Sequence, residues 1–243
     1  MTEEQVEGTT IELCEETLEI MRNFSTINPS IFIRAGDIMD TLSISNQMMG
    51  RAQVPEIFPV DVPIYDFVKF LNQLKLYSQP VLVFDGDKPN CVFIKDIDPE
   101  RNDASTKWVF SDPKTIHKPL KSLGIPKPDI RFDVPKDKLE VLVKAAQIFN
   151  FENIRVQRIA DDAISITVID LDDVEGTHYR FTLPAEIDTV MGDFNIVFKI
   201  DNLRILPFDY SIAISRKKYS HWFNQGVEYF ITLDKRSVVK VNE

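Results

Sequence analysis

The chain has 243 residues, of which 44% are apolar and 27% charged, the profile of a globular protein with room for one large or two medium domains. Its formal net charge is −10. A binder of open DNA surfaces draws most of its non-specific affinity from clustered cations, so any DNA contact here has to come from a minority of basic residues gathered on one surface. No run approaches the roughly 18 apolar residues of a membrane span, and the opening MTEEQVEGTT is acidic and polar, which argues against secretion or insertion.

In chain order, the first expected helix is Glu15–Ile27, followed by strand-like runs at Ile31–Arg34, Asp40–Ser45 and Glu56–Val60. A second helix is expected over Pro63–Tyr77, with proline near its start, where its missing N–H is harmless. Strands Val81–Phe84, Cys91–Ile94 and Ser105–Ser111 complete the first half. The segment Asp112–Asp129 is rich in proline and lysine yet carries Ile116, Leu120, Leu123 and Ile125. It reads as an extended connector lying along a surface.

The order then repeats. Helix Lys136–Asn150 precedes strands Ile154–Arg158, Ile164–Asp170 and His178–Leu183. A short helix at Ile200–Leu206 leads to strands Ser211–Ser215 and Glu228–Leu233. The corresponding first helices lie half a chain apart, which suggests a structural duplication. The expected organisation is an N-terminal domain over 1–112, a connector over 113–128 and a C-terminal domain over 129–243.

Helical periodicity separates the faces. Phe67, Phe70, Leu71, Leu74 and Tyr77 form the apolar stripe of the second helix, leaving Lys69 and Lys75 outside. Val141, Leu142, Ala145, Ala146, Ile148 and Phe149 form that of the helix after the connector, with Lys136 and Lys144 opposite. Arg22 and Arg204 hold similar places on the other two helices. A solvated polar face explains any one helix alone, but a cation on the outward side of all four, in an acidic chain, is a coincidence worth following.

Chemistry of other kinds finds little support. Cys14 and Cys91 are far apart, lack CxxC spacing and read as packed side chains. His117, His178 and His221 have no ligand spacing. Asp96–Asn102 begins like a calcium loop but has Arg101 at the sixth position and Lys107 at the twelfth, where glycine and glutamate are needed. Asp85-Gly86-Asp87 reads as a hairpin turn. No GxGxxG, Walker A or GxSxG motif occurs, so no enzyme, metal or cofactor is expected.

The block Leu18–Gly36, with its Asn-Phe-Ser-Thr-Ile-Asn run, resembles the opening of the DNA polymerase sliding clamps (processivity factors) of T-even-type bacteriophages. Asp61, Tyr65 and Asp66 in Phe58–Leu71, then Trp108, Asp112 and Pro113, are similar to that family's path into its second helix and out of its first domain. Leu139–Lys144, Asn202, Arg204 and Pro207 match it more loosely. The acidic N-terminus and the loop Asp170–Thr177 depart from it.

The resemblance implies an α+β fold of two similar clamp domains, each with helices packed on antiparallel sheets. It also implies a homotrimeric ring around duplex DNA, no catalysis, and partnership with the replicative polymerase and an ATP-driven clamp loader in the cytoplasm of an infected bacterium. By position, Arg22, Lys69, Lys75, Lys136, Lys138, Lys144 and Arg204 are the candidate DNA-facing residues. Trp108 and Phe110 on one edge strand, and Tyr179, Phe181 and Leu183 on another, are the candidate subunit interface. Leu120, Leu123 and Ile125 with Trp222 and Phe223 are candidates for a partner-peptide pocket, and filling the second domain's core is an equal alternative for them. The rival reading is a trimeric phage structural protein of tail or baseplate type.

Overall fold

The computed structural model describes residues 8–86, 89–101, 104–119 and 127–242. The chain divides into two compact units, Met1–Leu120 and Lys121–Glu243.

In the first unit, strand β1 (Thr9–Glu12) leads into α1 (Glu15–Ile27), then β2 (Ile31–Ile33), β3 (Gly36–Leu42), β4 (Met48–Phe58) and β5 (Val62–Ile64). Helix α2 (Phe67–Leu74) and strands β6 (Pro80–Phe84), β7 (Cys91–Asp96) and β8 (Thr106–Val109) follow. One antiparallel sheet has the order β1-β6-β7-β8, β3 pairs with β4, and β2 pairs with β5. The core is aromatic and methionine-rich: Met21, Phe24, Met39, Phe58, Phe67 and Phe70 are fully buried. A Cβ placed on Gly50 of β4 would lie 2.8 Å from the Phe24 ring, so α1 rests on β4 at a distance only glycine permits.

The second unit repeats the plan with β9 (Ile130–Val134), α3 (Lys136–Phe149), β10 (Asn153–Ala160), β11 (Ala163–Ile169), β12 (Tyr179–Pro184), β13 (Glu186–Ile187) and β14 (Met191–Lys199). After one 3-10 turn, Ile200–Asn202, come β15 (Tyr210–Ser215), β16 (Tyr219–Phe223), β17 (Val227–Thr232) and β18 (Val238–Val241). One sheet runs β12-β11-β10-β14-β18, and another places β13, β9, β15, β16 and β17 side by side. Tyr210, Trp222, Tyr229 and Phe198 interlock edge to face, with ring centroids 5.9 to 6.2 Å apart, the favoured geometry for buried aromatics.

Several expectations are corrected. The second helix is half as long as its periodicity suggested. Pro63 sits in β5, and Asp66 caps the helix by accepting from the Lys69 N–H at 3.0 Å. No α-helix forms over Ile200–Leu206. The described residues hold three α-helices, so Arg204 lies on no helix face. Only a few residues separate β14 from Pro207, and a proline disfavours helical backbone just before it. On α3 the apolar face is narrower than expected: Leu139, Leu142, Ala145 and Ala146 are buried, whereas Val141 is 46% and Ile148 75% exposed. Strands β1, β5, β9, β13, β14, β16 and β18 were not anticipated. Cys14 and Cys91 are half-buried rather than in the core, and Cys14 is the N-cap of α1.

Candidate nucleic-acid interface and sheet edges

Each unit begins its first helix on a carboxylate borrowed from a segment distant in sequence. At α1, the buried Glu56 of β4 accepts from the Cys14 N–H at 2.7 Å and from the Thr17 hydroxyl. At α3, Asp209 accepts from the Lys136 N–H at 2.7 Å. Both satisfy donors that a helix start leaves open, and both put negative charge where the helix dipole favours it.

The far end of α1 is fixed by Asn28, which is fully buried. Its amide donates to the carbonyls of Leu42 (2.7 Å) and His117 (3.0 Å), while its side-chain oxygen accepts from the Ser30 N–H and hydroxyl. The last residue of the Asn-Phe-Ser-Thr-Ile-Asn run is therefore a structural hub, which anchors the helix and ties down the start of the segment after β8. That segment is held again by Arg34, which donates to the Pro119 carbonyl at 2.9 Å. Lys118 places its ammonium 3.1 Å above the Phe32 ring, and burial, with Arg34 nearby, pulls its pKa down.

The candidate cations occupy different settings. Arg22 is exposed on α1 but paired with Glu15 at 2.5 Å. Lys69 and Lys75 are exposed on and just after α2; neither makes an ion pair among the described residues, and Lys75 donates to Asn72 at 3.0 Å. Lys136 faces Glu140 at 3.8 Å. Lys138 is half-buried, its ammonium 5.3 Å from the Phe181 ring centre, so it turns towards β12 instead of outward. Lys144 is exposed on α3. Arg204 donates its Nε to the Asp201 carbonyl at 2.9 Å, in a loop clamped by Tyr210, which donates to the Leu206 carbonyl at 2.8 Å. Burial pushes the Tyr210 phenol far above its ordinary range, which keeps that donor protonated.

Strands β8 and β12 are edge strands of their sheets. In each, the aromatic side chains turn towards the helix side. Trp108 packs edge-on against Phe70 of α2, with centroids 5.3 Å apart. Trp108 Nε1 and Gln73 Oε1 are buried without hydrogen-bond partners. Phe110 lies just beyond β8 and is half-buried, as are Tyr179 and Phe181, while Leu183 is buried in its own unit.

Of the pocket candidates, only Trp222 and Phe223 lie among the described residues, and they do not share a face. Trp222 and Phe223 are neighbours on β16, so their side chains take opposite faces. Trp222 is 5% exposed in the core and Phe223 48% exposed. Phe223 borders a cavity of about 600 Å³ whose lining includes Pro184, Ala213, Asp133 and Glu186. Leu120, Leu123 and Ile125 lie outside the described residues. Among the described residues no group of three or more His, Cys, Asp or Glu could hold a metal ion. Asp96, at the head of the calcium-like sequence, caps its own turn by accepting from Ser78 and Asp98. His221 is hydrogen-bonded to Glu228 at 2.8 Å.

No protein-family model matches the chain. It is 25% identical over 234 residues to the sliding clamp of Vibrio phage KVP40, covering 92% of this chain and 99% of that protein. The sliding clamp of Enterobacteria phage T4 is 22% identical over 208 residues, with 85% of this chain and 88% of that protein covered. Over most of its length the chain is thus similar to the sliding clamps of T-even-type phages.

The fold of these clamps is shared more widely. Proliferating cellular nuclear antigen from Entamoeba histolytica superposes with a TM-score of 0.67 at 9% identity, over 95% of this chain and all of that one (100%). The homologue from Thermococcus kodakaraensis gives 0.64 at 15% identity, over 93% and 99%. The expected α+β clamp fold is thus the observed one. Sliding clamps are processivity factors with no reaction of their own, so this chain is not an enzyme.

Proposed function

We propose that three copies of this sliding clamp close into a ring around duplex DNA and tether the replicative polymerase, with an ATP-driven loader placing the ring in the cytoplasm of the infected bacterium. The observation that carries the reading is that β8 and β12 each end a sheet, opposite β1 and β18 respectively. An exposed edge offers unpaired N–H and C=O groups and invites pairing. Two different edges on one chain suit a head-to-tail contact, which closes into a ring when the rotation allows. Trp108, Phe110, Tyr179 and Phe181 flank those edges and would supply apolar contact beside the strand pairing.

In such a ring DNA is retained by enclosure, so cations need only centre it. Phosphate contacts carry no sequence information and permit movement along any sequence. The acidic remainder of the surface would discourage binding outside the hole. The segment 113–128 is read as the connector between domains 1–112 and 129–243, and Phe223 is the remaining exposed candidate for a partner peptide.

Mass measured under native conditions tests the assembly: a species near three times 28.0 kDa is expected, and a stable monomer at micromolar concentration would overturn it. Stimulation of the cognate polymerase only when loader and ATP are present would separate this reading from that of a structural trimer.

A further inference from the structure

The two helices of the first unit carry opposite charge. The exposed positions of α1 hold Glu15, Glu16 and Glu19 against a single cation, Arg22, a sum of 1 − 3 = −2. Helix α2 with its two caps holds Lys69 and Lys75 against one carboxylate, the N-cap Asp66, a sum of 2 − 1 = +1. At 100° per residue, Glu15, Glu19, Arg22 and Thr26 fall within a stripe about 60° wide. Arg22 is bonded to Glu15 at 2.5 Å, with Glu19 about one turn before it and roughly 60° round the helix. A phosphate approaching that guanidinium competes with the carboxylate already bonded to it, whereas one approaching Lys69 or Lys75 meets an ammonium with no ion-pair partner among the described residues.

Helix stability accounts for part of this pattern. Glu15 and Glu16 sit in the first turn, where the dipole favours anions. Glu19 lies beyond it. Among the described residues no side-chain hydrogen bond or ion pair involves its carboxylate.

We propose that in this unit duplex DNA is held through α2, with Lys69 and Lys75 as the phosphate contacts, and that the acidic stripe of α1 keeps the backbone away, Arg22 serving its own helix. The proposal rests on the ring reading above. It narrows the candidate DNA-facing residues and makes Glu19 a positioning residue that sets which helix the duplex approaches. Screening confines the repulsion to phosphates within about 8 Å of the stripe at physiological salt.

The test uses the full-length chain, a fluorescein-labelled blunt duplex, and anisotropy between about 50 and 200 mM salt, with the native mass of every variant taken in the same buffer. The Lys69→Ala/Lys75→Ala variant, which removes six lysines from a ring of three copies, is expected to reduce the slope of log affinity against log salt by about 2 to 6, one unit for each lost phosphate contact. Arg22→Ala is expected to leave that slope unmoved and the affinity within about twofold, and Glu19→Gln to raise affinity about twofold or more. A trimeric Arg22→Ala variant whose slope falls by about 1, or a Glu19→Gln variant that binds no better than the parent, overturns the assignment while leaving the ring intact. A parent chain that is monomeric overturns both readings, whereas a trimeric parent that gives no duplex-dependent signal at the lowest salt overturns the phosphate assignment alone.

Discussion

The two units follow one plan of strand, helix, strands, helical segment and strands, but they spend their residues differently. Among the described residues the first unit forms two α-helices, whereas the second forms α3 and, at the place of α2 in the chain order, a 3-10 turn. The second unit also carries a buried aromatic cluster, Tyr210, Trp222, Tyr229 and Phe198, and the Tyr210 hydroxyl holds the loop after that turn. Edge-to-face rings and a buried hydroxyl there hold a segment that the first unit holds as a helix. What both units keep is the remote carboxylate that starts the first helix and the edge strand that ends a sheet.

The strongest way to break the comparison is to disable one edge at a time. Phe110→Asp at β8 or Phe181→Asp at β12 is expected to convert the trimer to monomers, read by sedimentation. Either variant still sedimenting as a trimer would mean that its edge is not the contact.

Next in size is Asn28→Ala, which leaves the Leu42 and His117 carbonyls and the Ser30 donors without their buried partner. A loss of about 3 kcal/mol is expected in denaturant unfolding. A loss below about 1 kcal/mol would mean that water or a local shift replaces the amide.

The two remote caps sharpen the contrast further. Glu56→Ala, at a buried carboxylate with two donors, should cost about 2 kcal/mol, while Asp209→Ala, at an exposed one with a single donor, should cost about 0.5–1 kcal/mol. Equal costs would show that burial does not set the difference.

The smallest effect concerns acid. Hydrogen bonds from the backbone of Asp98 and Ser78 hold the Asp96 carboxyl below its ordinary value of 3.8. A depressed folded pKa contributes stability above the unfolded value and loses it as pH falls through the folded one. Asp96→Asn should therefore melt below the parent at neutral pH, and the gap should close beneath pH 3.8. A gap that persists at pH 2 would assign the loss to shape rather than charge.

Legibility from sequence varied with locality. The limits of α1 and α3 follow from amphipathic spacing within a residue or so, because one face of each is uniformly apolar. Helix α2 was drawn too long because Ile64, Leu76 and Tyr77 continue the period through a strand and a turn. Strand β14 was invisible because Gly192, Asp193 and Asn195 interrupt its alternation, and β18 because it is short. Exposed Val141 and Ile148 show that polarity predicts a face only when the neighbours are known. The caps Glu56 and Asp209 left no local signal, since their partners lie 42 and 73 residues away. Arg22 was read correctly as exposed, but its pairing with Glu15, seven positions earlier, appears only in three dimensions.

Gly50 carries one more implication. With no side chain there, the first helix seats directly on its strand, and even a methyl group would lift the Phe24 end outward. The seating of that helix is therefore fixed by an absent carbon atom, so a graded series of alanine, serine and valine at position 50 would act as shims beneath it, shifting the helix without touching a charge.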